Sequence, residues 1–80
     1  MNDTIRALIN VAREHGAFRA RLRQSKNRPA GLLRLILVFA DAASCTNFYL
    51  SDWCDPFNPN TPVTALRSRD RVMVLLVDVR

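Results

Sequence analysis

Arg19, Arg21 and Arg23 alternate with Phe18, Ala20 and Leu22 through Ala17–Gln24. On an extended backbone successive side chains point to opposite faces, so this spacing sets the guanidiniums in one row. Lys26 and Arg28 follow shortly after, and Arg34 lies nearby if the next strand folds back. A guanidinium is a planar fork of donors that matches phosphate and carboxylate. A row of them can meet phosphates spaced along a nucleic acid, or an acidic protein surface. No aromatic residue is interleaved in the row, so a base-stacking platform is not evident. The plain alternative is a solvated sheet face, since eleven of the twelve basic residues are Arg, as a GC-rich genome would give.

A second group of residues lies in the middle of the chain. Phe48, Tyr49, Trp53 and Phe57 are set among Asp52 and Asp55, and aromatic residues on a proline-rich loop make good contact anchors. Trp53 and Phe57 are the candidates for partner contact; the alternative is that the aromatics fold inward to close a small core. Cys45 and Cys54 read as free thiols, with a disulfide within or between chains, or a metal site, as the other readings. Zinc needs four ligands, and only His15 and some aspartates remain to complete such a set, with no close Cys or His pairs. His15 with a thiol would make a nucleophile pair, yet nothing in the spacing brings them together. There is no glycine-rich phosphate loop, no Ser, His and Asp frame, no helix-turn-helix and no zinc-finger signature. The chain therefore reads as non-enzymatic, with no catalytic residue, cofactor or metal.

The elements that would position these residues follow from the hydrophobic pattern. Ile5, Leu8, Ile9 and Ala12 recur at helical spacing behind the capping candidates Asn2, Asp3 and Thr4, and Gly16 suits the position just past a helix end. This predicts a helix from near Asp3 to His15. Ala17–Gln24 then reads as a half-buried strand; the rival is a helix continuing through Gly16, at a cost of about 1 kcal/mol for the glycine. Ser25–Gly31 is turn chemistry. Gly31–Ala40 is apolar on both faces, with Leu33, Leu35, Leu37 and Phe39 on one side and Leu32, Arg34, Ile36 and Val38 on the other. Such a strand is expected to be central, with neighbours and cover; a buried helix capped by Pro29 is the alternative. Asp41–Arg71 reads as irregular, with a short strand at Asn47–Ser51, one helical turn at Val63–Leu66 and a turn at Ser68–Asp70. Val72–Val79 is the second core strand.

The order helix, strand, strand, irregular middle, strand predicts an α+β fold, with the N-terminal helix packed on an antiparallel sheet of three to four strands. Eighty residues make one small domain spanning residues 1–80. The formal charge of +5 is unevenly spread. Met1–Arg34 is strongly basic, Leu35–Leu66 holds three Asp and no basic residue, and Arg67–Arg80 is basic again, which suggests a two-faced molecule. No run reaches the roughly 18–20 apolar residues that span a bilayer, so no membrane partner is expected. No secretory signal opens the chain, and a reduced, cytoplasmic setting is the expectation.

No motif identifies a family, but the profile resembles small phage-encoded proteins that disarm bacterial machinery, anti-CRISPR inhibitors among them. The resemblance rests on Arg19, Arg21, Arg23, Lys26 and Arg28 on one side and Asp52, Trp53 and Asp55 on another. It implies a compact domain that binds a CRISPR surveillance complex in the host cell and obstructs its nucleic-acid path. Many of that class are acidic mimics of DNA. A basic chain points instead to docking on acidic or nucleic-acid-bearing surfaces. The expected function is that of an interaction protein that blocks a host protein or nucleoprotein complex. Its partner-binding residues would be Arg19, Arg21, Arg23, Lys26, Arg28, Trp53 and Phe57. A free sheet edge would also allow strand addition across a partner or a homodimer. The alternative is a small basic nucleic-acid-binding protein.

Overall fold

The computed structural model of the chain describes residues 3–24, 32–51, 54 and 63–78. Helix α1 (Asp3–Glu14) leads into strands β1 (Ala17–Gln24) and β2 (Leu32–Phe39), then helix α2 (Ala42–Tyr49) and strands β3 (Val63–Arg69) and β4 (Val72–Asp78). The sheet is antiparallel throughout, in the order β1-β2-β4-β3. Two hairpins therefore lie side by side, joined through their second strands. The two oily runs, β2 and β4, occupy the middle, where Leu35 faces Leu75 and Leu37 faces Met73.

Gly16 ends α1. Its φ of 103° is a conformation that L side chains rarely adopt, and its carbonyl accepts a bond from the Ala40 amide at 3.0 Å. The chain turns sharply there and enters β1. The helix thus stops at Gly16, and Ala17–Gln24 is strand, as the alternating pattern predicts. One detail differs. The pairing of β1 with β2 shifts between Ala17 and Arg19, a bulge that breaks strict alternation. Ala17 is buried as a result, and Phe18, expected on the apolar side with Ala20 and Leu22, is 64% exposed.

Two expectations for the middle of the chain are corrected. Asn47–Ser51 is not a strand: Ala42–Tyr49 is helical and Leu50 and Ser51 follow its end. The helix forms because the Asp41 carboxylate accepts the Ser44 amide at 2.7 Å, and because Cys45 and Phe48, three apart, bury one side. Val63–Leu66 is likewise not a helical turn but the start of β3, which runs on through Ser68 and Arg69 to a turn at Asp70 and Arg71. Here too a register shift, between Val63 and Ala65, disturbs the alternation.

The core lies on one side of the sheet. Ile5, Leu8 and Ala12 of α1 cluster with Leu35, Leu37 and Phe39 of β2, Met73, Leu75 and Val77 of β4, and Cys45 and Phe48 of α2. Phe48 packs with its ring centroid 5.5 Å from Phe39 and 5.6 Å from His15. The other side of the sheet, carrying Arg34, Ile36 and Val38, has no helix against it among the described residues. The expectation that β2 would be central, with neighbours and cover, is met: it lies between β1 and β4 with the core against one face. Among the described residues no helix is long and apolar enough to cross a membrane.

Candidate interaction surface

The register across the four strands composes the uncovered face. Arg19 pairs with Val38, Val38 with Val72, and Val72 with Arg69. One step along, Arg21 pairs with Ile36, Ile36 with Val74, and Val74 with Arg67. Each of these two rungs reads arginine, aliphatic, aliphatic, arginine. A third, toward the other end, reads Arg23, Arg34, Leu76 on β1, β2 and β4. The face is thus an aliphatic stripe on the two central strands, interrupted by Arg34 of β2 at one end, with Arg19, Arg21 and Arg23 along β1 and Arg67 and Arg69 along β3.

The direction of the β3 arginines is fixed by their neighbour. Ser68 points to the helical side, where its Oγ lies 3.5 Å from Cys45 Sγ. Arg67 and Arg69, on either side of it, therefore project to the opposite face. Arg19, Arg21, Arg23, Arg34, Arg67 and Arg69 are all exposed, Ile36, Val38 and Val74 are half-buried, and Val72 is 38% exposed. A surface hollow of ≈ 650 Å³ opens at the β3–β4 side, lined by Arg67, Arg69, Asp70, Arg71, Val72 and Val74. Asp70 is the one carboxylate in that lining.

The arginine arrangement works against the fold. Arg23 and Arg34 stand directly opposite each other, and like charges in that position are destabilising. Guanidiniums repeated every second residue along an edge repel one another as well. A sheet face selected for stability alone would interleave acidic residues. This one concentrates a single sign on both flanks of an apolar floor.

Of the residues proposed from sequence, Arg19, Arg21 and Arg23 lie in one row on this face. Lys26, Arg28, Trp53 and Phe57 lie outside the described residues. Arg67 and Arg69 were missed, because Ser68–Arg69–Asp70 reads as a turn. Their signal was present in the same form as in β1: two arginines two apart with a small residue between them.

His15 and the two cysteines are packed in or beside the core. The Nδ1–H of His15 donates to the Val11 carbonyl at 2.9 Å, and the ring meets Phe48 edge-on. Cys45 and Cys54 are buried free thiols. Burial pushes the Cys54 thiol up to about 11, against a smaller opposing hydrogen bond from Ser51, with the nearby Cys45 adding to the rise. A thiol held protonated is a poor nucleophile and a poor metal ligand. Among the described residues no group of three His, Cys, Asp or Glu side chains is placed to hold a metal ion. No protein-family model matches the chain, and neither a curated protein nor a solved structure shows significant similarity to it.

Proposed function

We propose that the protein is a non-enzymatic interaction protein that docks the outer face of its sheet on a negatively charged partner surface and blocks it. The observation that carries this reading is the pair of rungs, Arg19–Val38–Val72–Arg69 and Arg21–Ile36–Val74–Arg67. They combine charge on both flanks with apolar surface between, the two ingredients of steering and of affinity. Exposed guanidiniums in these rungs, with Asp70 the one carboxylate among the described residues beside them, are available to a partner that supplies carboxylates or phosphates.

The setting we propose is the cytoplasm of a bacterial host, with the chain acting as a small phage-encoded inhibitor on a CRISPR surveillance complex. Its size, lopsided charge and lack of a recognisable catalytic set support that setting. The second reading is direct binding of nucleic acid. It is favoured by the β1 row, whose guanidiniums recur about every 6.8 Å along the strand, a spacing suited to successive phosphates. Charge reversal distinguishes these readings from a merely solvated face. The variant Arg21→Glu with Arg67→Glu should abolish capture of the partner from nuclease-treated host lysate while leaving the circular dichroism spectrum unchanged. Capture by the variant at wild-type level would sink the docking reading. Loss of the complex on nuclease treatment alone would favour the nucleic-acid reading.

A further inference from the structure

We infer that the outer face of the sheet is a trough for one acidic amphipathic α-helix of a partner protein, laid along the strands with its apolar stripe on Ile36, Val38, Val72 and Val74. This rests on the proposed docking function and names the form of the docked element.

The argument is one of shape and of charge order. Side chains stand roughly perpendicular to a sheet, so short Val and Ile make a floor while Arg rises above it on both sides. Four strands at about 4.8 Å spacing put the β1 and β3 rows about 14 Å apart. An α-helix with its side chains is roughly 10–12 Å across and fits between them. The partner's carboxylates would then lie on the two flanks of its apolar stripe, one flank meeting Arg19, Arg21 and Arg23 and the other Arg67 and Arg69. The hollow lies between the β3 arginines and Val72 and Val74 of that floor, at the end where Asp70 and Arg71 turn the chain, with Arg67, Arg69 and Arg71 outnumbering the single carboxylate of Asp70.

The same features disfavour the other occupants. A nucleic-acid backbone would lay phosphate and sugar over four aliphatic side chains that offer it nothing, and no aromatic residue among the described residues of the rungs can stack a base. A bilayer is entered by apolar groups that protrude, and Ile36, Val38, Val72 and Val74 of the rungs are flanked by longer arginines. A second copy of the same face would set arginine against arginine. A strand added to the β1 or β3 edge would use backbone bonds and leave the rungs idle.

The test is direct titration of the full chain with synthetic probes, followed by fluorescence anisotropy. The first probe is a helical peptide of about four turns, with Leu on one stripe and Glu on both its flanks. The others are a scrambled peptide of identical composition, poly-glutamate, a DNA duplex, a single-stranded oligonucleotide and vesicles of anionic phospholipid. The amphipathic helix should bind at least tenfold tighter than every other probe. Arg21→Gln with Arg67→Gln should weaken it at least tenfold. Val74→Thr should weaken the helix while leaving poly-glutamate binding unchanged, and Ile36→Thr serves if that variant does not fold. Equal binding of helix and scrambled peptide, both lost in the arginine variant, would overturn the helix trough and leave an acidic docking surface standing. Tightest binding to duplex, oligonucleotide or vesicles overturns the inference in favour of that occupant. No binding to any acidic probe overturns both the trough and the docking function.

Discussion

Gly16 shows how one residue decides the course of the chain. A Cβ there would lie 3.2 Å from Ser44 Oγ and 3.3 Å from Ser44 Cβ, on a backbone with φ of 103°. Gly16→Ala should therefore cost about 1–3 kcal/mol, read as a fall in the urea midpoint at unchanged slope. Asp41 acts at the start of α2. The backbone amide of Ser44, and then its hydroxyl, hold the Asp41 carboxyl below its ordinary 3.8. A lowered carboxyl contributes stability above its ordinary value, and that contribution fades as pH falls through the lower value in the folded protein. Asp41→Asn should keep the cap but flatten the acid limb of stability measured below pH 3.8. Cys54 works with the opposite sign: the unfolded thiol ionises near 9.0 and the folded one near about 11, so stability should decline as pH rises between them, and Cys54→Ala should remove that decline. Native alkylation of Cys54 at pH 8 should also be far slower than alkylation in denaturant.

At the scale of elements, period was the reliable signal and its interruptions were not. Asp3–Glu14 and Ala17–Gln24 were legible because helical or two-residue spacing runs through them, and the two oily strands because each is a nearly continuous apolar run. Helix α2 was not legible. Only Cys45 and Phe48 of its residues are buried, and Phe48-Tyr49-Leu50 carries the composition of a strand. What makes it a helix is a cap and a core waiting for Phe48, and tertiary context of that kind is not written in a local window. Strand β3 was hidden by the register shift near its start, which displaces the alternation just where Pro62 suggests a helix entry. Hence half of the arginine-flanked face, Arg19 through Arg34, could be read from sequence, and Arg67 and Arg69 could not. The bulge at Phe18 gives a test of this picture. Strict alternation would make Phe18 a core residue, whose truncation costs about 3–5 kcal/mol. Exposed as it is, Phe18→Ser should change stability by no more than about 0.5 kcal/mol. Leu8→Ala, at a fully buried position of α1, should cost about 2–5 kcal/mol by the same denaturant measurement.

For the whole molecule, a two-layer plan leaves one side of the sheet to the core and the other to charge. The unrelieved repulsion on that side should be visible without any partner. Adding salt should raise the urea midpoint as the guanidiniums are screened from one another. Arg34→Glu, placed opposite Arg23, should turn a repulsive pair into an attractive one and stabilise the chain by about 0.5 kcal/mol, while weakening partner capture. A gain in stability coupled to a loss of binding would mark the position as held for use and not for folding. The adjacency of β2 and β4 has a kinetic side as well. The strands of each outer pair are close in sequence, but the seam between Leu35 and Leu75 joins residues remote in sequence, with α2 and β3 intervening. Pairing across that seam is non-local, so refolding should be slower than that of a helical bundle of equal length. Until the seam closes, both inner strands present bare backbone donors and acceptors beside long aliphatic tracts, so nascent chains are most exposed to mispairing with one another in that interval.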